Sequence, residues 1–166
     1  MTKTYLSKTL PSPVGLLTLV AGDEGLAAIL WENDDPDRVR LNYAPGDCAV
    51  LRDAERQLSE YFGGTRTAFD LPLDFTGTDF QKLVWQALLT IPFGETRSYA
   101  QIARQIGKPK AMRAVGAANG KNPISIVAPC HRVIGANGAL TGFAGGLDAK
   151  ARLLALETAS RFRDAA

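Results

Sequence analysis

Apolar runs separated by turn residues fill the first part of the chain. Two such runs, 16–21 and 25–31, flank Gly22-Asp23-Glu24, an arrangement that predicts a β-hairpin. The acidic, proline-containing stretch 32–45 predicts a loop. The next segment predicts a helix that ends at Gly63-Gly64. One face of this helix consists of Leu51, Ala54, Leu58, Tyr61 and Phe62. With a further extended run before the boundary, the pattern predicts an α/β domain over residues 1–76.

The pattern becomes helical after residue 77. Thr78 is placed to cap a helix whose apolar positions are Phe80, Leu83, Val84, Ala87, Leu88 and Ile91. Ser98 can cap a second, short helix, which Gly107-Lys108-Pro109 ends. A third helix follows, with an apolar face of Ala111, Ala114, Val115 and Ala118. The last two predict a helix-turn-helix in a mainly α domain over 77–166, although any packed helical hairpin gives this pattern.

Charge is divided unevenly between the two parts. Residues 1–75 hold 7 basic and 12 acidic residues, whereas residues 76–166 hold 12 basic and 5 acidic. No acidic residue occurs between Glu95 and Asp148, a stretch with seven basic ones: Arg97, Arg104, Lys108, Lys110, Arg113, Lys121 and Arg132. Such a segment favours a polyanionic partner, because phosphate contacts dominate nucleic-acid affinity. A solvated surface whose acidic residues lie elsewhere is the other interpretation.

The candidate chemistry lies in Pro129-Cys130-His131-Arg132-Val133. His131 is the only histidine of the chain, and it adjoins one of only two cysteines. The thiolate is the reactive form of cysteine, and a nearby imidazole favours it. Since adjacent side chains rarely hydrogen-bond directly, we expect a water molecule to connect the pair.

Composition excludes several classes of protein. No apolar run reaches the length of a membrane span, and the N-terminus lacks the pattern of a signal peptide. Cys48 and Cys130 make no disulfide framework, which favours a reducing cytoplasm. One histidine and two cysteines predict no metal site, and the absence of a glycine-rich phosphate loop fits a protein without a cofactor.

Two further features stand out on the predicted helices. Arg113, Gly116, Ala117 and Gly120 share one face of the third helix, so its backbone can approach DNA closely while reading little sequence. Glu157 follows Leu153 and Leu154 at helical spacing on the C-terminal helix, where a carboxylate needs a partner.

The cysteine segment resembles the acceptor site of the O6-alkylguanine-DNA alkyltransferases. The resemblance runs from about Gly77 to Glu157 and is looser in the N-terminal half. It rests on Thr90-Ile91-Pro92-Phe93-Gly94-Glu95-Thr96, Ser98-Tyr99, Ala114-Val115-Gly116, residues 122–135 and Thr141-Gly142-Phe143-Ala144-Gly145-Gly146. It implies a ribonuclease-H-like N-terminal domain and a DNA-repair domain whose cysteine accepts an alkyl group once, irreversibly.

The resemblance also implies roles for individual residues. Cys130 attacks the alkyl carbon, Glu157 orients His131, and His131 takes the cysteine proton through water. Tyr99 helps to rotate the nucleotide out of the duplex and donates a hydrogen bond to the base. Asn122 braces the turn between the DNA-binding helix and the cysteine.

DNA and base contacts follow from the same comparison. The helix enters the minor groove, where Arg113 fills the gap left by the extruded nucleotide. The other expected DNA contacts are Tyr99, Ala114, Gly116, Ala117 and Lys121. Expected around the guanine are Tyr99, Val133, Phe143, Ala144 and Gly145. Two positions depart from the family: Phe143 lacks the hydroxyl of the tyrosine often found there, and Ala128 is smaller than the usual branched residue.

The expected partner is therefore double-stranded DNA containing O6-alkylguanine, with O4-alkylthymine as a further possible substrate. We expect a monomer without a membrane, a cofactor or an obligate protein partner. Two other interpretations use the same features. A cysteine hydrolase or acyltransferase would turn over a thioester substrate, and a transcription regulator would bind undamaged DNA with high sequence preference regardless of Cys130.

Overall fold

The N-terminal part is a four-stranded sheet covered on one side by a helix. The computed structural model describes residues 4–165, and the sheet order is β3-β2-β1-β4. The strands are β1 (Tyr5–Ser12), β2 (Gly15–Gly22), β3 (Gly25–Leu30) and β4 (Tyr43–Pro45). Neighbouring strands are antiparallel except for β4, which is parallel to β1. The predicted hairpin is therefore present as β2 and β3.

Two features of this sheet were absent from the prediction. Strand β1 pairs with β2 along its length, from Leu6 opposite Ala21 to Ser12 opposite Gly15. The stretch 32–45, predicted as a loop, ends in the short strand β4, because the backbone there can pair with the free edge of β1.

Helix α1 (Ala49–Phe62) packs against strands β1, β2 and β3 and ends before Gly63, as predicted. Its buried face includes Leu51, Ala54, Leu58 and Tyr61, whereas Phe62 is half-buried. Fully burying each leucine stabilises the fold by roughly 1.5–3 kcal/mol.

The C-terminal part is mainly helical. Its elements are α2 (Asp79–Leu88), β5 (Arg97–Ser98), α3 (Tyr99–Gln105), α4 (Met112–Gly120), β6 (Val133–Ile134) and α5 (Leu147–Ala165). Thr78 and Ser98 cap α2 and α3, each in a capping box with the glutamine three residues later. Gly107, with φ +77°, lies between α3 and α4 in the left-handed conformation that glycine adopts without strain.

The predicted buried faces of two helices were partly wrong. On α2, Leu83 is 44% exposed, and Trp85 is buried instead. The indole fills the core and donates from Nε1 to the carbonyl of Ala118 at 2.8 Å, which a leucine cannot do. On α4, Ala114 is exposed, because the face turned inward carries Val115, Ala118 and Asn119.

A linker between α4 and the cysteine joins the two parts. The amide of Ile29 in β3 donates to the carbonyl of Pro123 at 2.9 Å, and Ile124 lies in the same hydrophobic cluster as β2, β3 and α1. Ile126 has φ +74°, a strained conformation for a β-branched residue. The chain therefore approaches Cys130 along a path fixed by the N-terminal sheet. Among the described residues, no helix is both long and apolar enough to cross a membrane.

Candidate active site around Cys130

Cys130 begins a single 3-10 turn, Cys130–Arg132, directly after Pro129. Its amide donates to the carbonyl of Ala128 at 2.8 Å, and only 3% of the residue is exposed. Burial raises the pKa of the Cys130 thiol, and a hydrogen bond from Asn122 opposes that shift. The resting side chain is therefore a thiol that needs a base.

His131 is fully buried and binds the carboxylate of α5. Its Nε2 lies 2.7 Å from Oε2 of Glu157. Burial lowers the pKa of His131, and Glu157 opposes that shift. Because a carboxylate only accepts, Nε2 carries the ring proton and Nδ1 is the basic nitrogen. Nδ1 has no hydrogen-bond partner among the described residues.

Glu157 is the centre of a buried group of charges. Arg132 donates to it twice, from Nε to Oε1 at 2.8 Å and from Nη2 to Oε2 at 3.0 Å. The hydroxyl of Tyr61 in α1 donates to Oε2 at 2.6 Å. Burial alone would raise the pKa of Glu157, but the hydrogen bonds from His131 and Arg132 lower it to about 2. The carboxylate is therefore charged throughout the physiological range.

Sequence reasoning paired Glu157 with His131 and missed the other two donors. Arg132 belongs to the basic segment for which the sequence predicts a polyanionic partner, yet it is only 6% exposed. Its position next to His131 was the available signal. Tyr61 was assigned to the core face of α1, and its hydroxyl gave no further signal.

Asn122 braces the linker before the cysteine. Its Nδ2 donates to the carbonyl of Ala128 at 2.8 Å, and its Oδ1 accepts from the amide of Ile124 at 3.0 Å. Arg38, which sequence reasoning also missed, donates from Nη1 to the carbonyl of Asn122 and pairs with Asp34 at 2.6 Å. The sequence places Arg38 in an acidic loop, where a surface charge was the natural interpretation.

The loop 135–146 follows β6 and is held at Thr141. Its hydroxyl contacts Oη of Tyr99. Lys150 of α5, another residue that sequence reasoning missed, donates from Nζ to the carbonyls of Val133 at 2.7 Å and Thr141 at 3.3 Å. Burial lowers the pKa of Lys150. Lys150 therefore links the loop at Thr141 to Val133, which directly follows the cysteine turn.

The remaining predicted base contacts lie on this loop or beside it. Phe143 packs against both large hydrophobic clusters, one of which contains Cys130 and Val133. Ala144 and Gly145 are half-buried next to it. Ala128 is fully buried, and its carbonyl accepts from Asn122 and Cys130.

The outer face of α4 has small and exposed residues. Arg113, Ala114, Ala117 and Gly120 are exposed, and Lys121 follows directly. Gly116 is half-buried, and a Cβ there would lie 3.8 Å from the ring of Tyr99. A Cβ at Gly120 would meet no heavy atom within 4 Å, so packing within the described residues does not require glycine there. Within residues 4–165, no three His, Cys, Asp or Glu side chains are grouped to hold a metal ion.

Comparison with known proteins identifies the family of this chain. Residues 5–75 match the ribonuclease-like domain of 6-O-methylguanine DNA methyltransferase, and residues 79–159 match its DNA-binding domain. The chain therefore belongs to the 6-O-methylguanine DNA methyltransferase family, which defines it as a two-domain protein with an N-terminal sheet and a helical DNA-binding domain.

Relatives cover nearly the whole chain. A methylated-DNA–protein-cysteine methyltransferase of Mycolicibacterium paratuberculosis is 53% identical over 150 residues, 90% of each chain. One from Methanosarcina acetivorans is 50% identical over 147 residues, 88% of this chain and 94% of the other. The crystal structure of Mycobacterium tuberculosis OGT in complex with DNA has a TM-score of 0.83 and 51% identity, covering 95% of this chain and 94% of that one.

Proposed function

We propose that this protein repairs DNA by transferring the alkyl group of O6-alkylguanine to Cys130 in one irreversible step. The observation that carries the proposal is the buried His131–Glu157 hydrogen bond beside the cysteine, in a member of this family. The names of the relatives, and the DNA complex of one of them, support methylated DNA as the substrate.

The proton of Cys130 leaves first. A water molecule passes it to Nδ1 of His131, the ring nitrogen that Glu157 leaves free to accept. The charged carboxylate then stabilises the imidazolium, so the chemistry does not depend on a thiol of unusually low pKa. Arg132 and Tyr61 hold the carboxylate in place for this role.

The thiolate then displaces guanine from the alkyl carbon. A carbon–sulfur bond forms and the carbon–O6 bond breaks. The departing guanine takes up one proton and His131 gives up the one it received from Cys130, so both end in their neutral forms. Tyr99 donates a hydrogen bond to that base as negative charge develops on it. The thioether product has no carbonyl for water to attack, so each molecule acts once. The proposed transfer uses no cofactor.

Access to O6 requires extrusion of the nucleotide, because the target atom lies inside the base stack. We propose that α3 and α4 form a helix-turn-helix that presents the α4 face to the minor groove, with Arg113 in the gap left by the base. Ala114, Gly116 and Ala117 allow close backbone approach, and Lys121 neutralises a phosphate. Val133, Phe143, Ala144 and Gly145 then surround the guanine together with Tyr99.

We extend the proposal to the N-terminal domain and the assembly. The mixed sheet with α1 on one side supports a ribonuclease-H-like fold over residues 1–76, followed by the repair domain over 77–166. All proposed reacting groups come from one chain, so we propose that it acts on DNA as a monomer. Its two cysteines, far apart in the sequence, support the reducing cytoplasm as the proposed location.

Intact-protein mass measurement tests the function. After exposure to duplex DNA containing O6-methylguanine, we expect the protein to gain the mass of one methylene group, once per molecule. Cys130→Ala should bind DNA and gain no mass, whereas Cys48→Ala, the matched control, should gain the same mass as the unaltered protein. A protein of unchanged mass, or one molecule clearing many lesions, contradicts the proposal. Repeated turnover of a thioester would instead identify a hydrolase.

A further inference from the structure

Trp31 belongs to the N-terminal part of the chain but lies against the loop 135–146. It directly follows β3 and is only 6% exposed. Its ring meets that of Phe143 edge to face, with centroids 5.3 Å apart. Its Nε1 donates to the hydroxyl of Ser125 at 3.1 Å, in the linker that leads to Cys130. One side chain therefore touches both the loop and the linker.

Gly145 shows how closely the indole approaches the loop backbone. A Cβ built at Gly145 would lie 2.6 Å from Cδ2 and Cε3 of Trp31, closer than real side chains come. The glycine is thus required by contact with the tryptophan, and any larger residue must push the loop away from it. Trp31 belongs to the N-terminal part and Gly145 to the loop. Their close contact therefore shows that the N-terminal part supports the loop.

The backbone of Trp31 is held in place as well. The amide of Trp31 donates to Oδ2 of Asp34 at 3.1 Å, and Asp34 is paired with Arg38. Side chains fixed by several partners lose less entropy when they hold a neighbour in place. Trp31 is therefore a rigid surface for the loop.

Neighbouring residues of the loop have different supports. Thr141 contacts Tyr99 and Lys150 of the C-terminal part. Phe143 and Gly145, which follow it, lie on Trp31. The N-terminal part thus supplies the support for the segment Phe143, Ala144 and Gly145.

We propose that Trp31 is a positioning residue for the guanine-binding loop, holding residues 143–145 at the distance from Cys130 that admits the extruded base. This inference rests on the proposed function, in which those residues surround the guanine. The N-terminal domain then acts in base recognition without touching DNA, and loosening Trp31 weakens capture of the base more than it slows the transfer step.

Single-turnover kinetics with duplex O6-methylguanine DNA and with the free O6-alkylguanine base test this. Trp31→Ala should raise the half-saturating concentration of the free base about tenfold, about 1.4 kcal/mol, with a smaller change in the maximal rate. Trp31→Phe, which keeps a ring but not the N–H, should lie between. Affinity for undamaged duplex should not change. A fall confined to the maximal rate, or unaltered kinetics with the free base, overturns the inference.

A double substitution separates positioning from loss of stability. Gly145→Ala should impair base capture because its methyl group collides with the indole, and Trp31→Ala in the same chain should relieve part of that loss. Strictly additive losses would show that the contact does not position the loop.

Hydrogen exchange gives a readout that does not need the reaction. In Trp31→Ala, amides over 143–146 should exchange about tenfold faster, whereas those of α3 should not change. Leu16→Ala, which removes an exposed apolar side chain from β2, serves as the control. If the unaltered protein transfers no alkyl group, the proposed function fails, and exchange still decides whether Trp31 supports the loop; unchanged exchange refutes that support.

Discussion

The residues behind Cys130 and the outer face of α4 are built on opposite principles. Behind the cysteine, Glu157, His131 and Arg132 are charged or polar, nearly inaccessible to solvent and linked by hydrogen bonds of 2.7–3.0 Å. On α4, Arg113 stands among exposed alanine and glycine residues. One region satisfies its polar groups within the protein, and the other leaves its surface open to a partner.

The difference determines how much a substitution in each region changes the stability of the protein. Removing one member of a buried ion pair leaves an uncompensated charge and costs several kcal/mol. Removing an exposed side chain with no partner usually changes stability by less than 0.5 kcal/mol. We therefore expect substitutions in the buried group to alter folding and chemistry together, and substitutions on α4 to alter only events that involve duplex DNA.

The largest effect should come from Glu157→Gln. Arg132 and His131 would lose their common acceptor of charge, and we expect the free energy of unfolding to fall by about 3–5 kcal/mol. Alkyl transfer should slow with the duplex and with the free base alike, because proton removal from Cys130 is impaired. Urea unfolding and single-turnover rates measure the two effects. Thr158→Ala, at the exposed neighbouring position of α5, is the control; similar stability of both variants would contradict the role of the buried group.

The dependence of stability on acid pH should report on the same carboxylate. The pKa of Glu157 is lowered from 4.5 to about 2, so its contribution is present above about pH 4.5 and is lost as the pH falls toward 2. That contribution is about 3 kcal/mol. Burial also lowers the pKa of His131. Below the usual pKa of histidine, the unfolded chain therefore binds a proton more readily than the folded protein, and the free energy of unfolding falls further. Unfolding free energies measured across this range should therefore fall less steeply for Glu157→Gln, and parallel curves would contradict the assignment.

Arg113→Ala should have a smaller and more selective effect. Extrusion of a base costs a few kcal/mol, so losing the side chain that fills the gap should slow repair of duplex DNA about 10- to 100-fold. Stability and reaction with the free base should hardly change. Arg104→Ala, which removes an exposed charge from α3, controls for lost phosphate attraction. Equal losses with duplex and free base would rule out a role in extrusion.

The sequence predicted the elements better than the contacts between them. The hairpin, α1 and the helix caps at Thr78 and Ser98 were predicted because they follow local sequence rules. Which of Leu83 and Trp85 is buried does not follow from local rules. It depends on which neighbouring element packs against each position of the helix. The pairing of Glu157 with His131 came from the family resemblance, with which the single histidine of the chain agrees.

Buried charges were the systematic failure. In the sequence, Arg132 and Lys150 cannot be distinguished from surface cations. Only the packing of α5 against the cysteine turn shows that both side chains donate hydrogen bonds within the protein. Tyr61 and Trp31 come from the N-terminal part, and their partners are about a hundred residues away. No local spacing rule reaches that far, so the contribution of the first domain to the site was invisible.

Tyr61→Phe gives the smallest of these effects and tests that contribution most directly. The substitution removes one hydroxyl from Glu157 and leaves His131 and Arg132 as donors, so we expect a loss of about 1 kcal/mol in unfolding free energy. Tyr43→Phe, 45% exposed on β4, should cost less than half of that. Alkyl transfer should slow modestly with duplex and free base together, because Tyr61 acts on the carboxylate and not on DNA. A loss confined to duplex DNA would place Tyr61 with the α4 face, and the two regions would then not be independent.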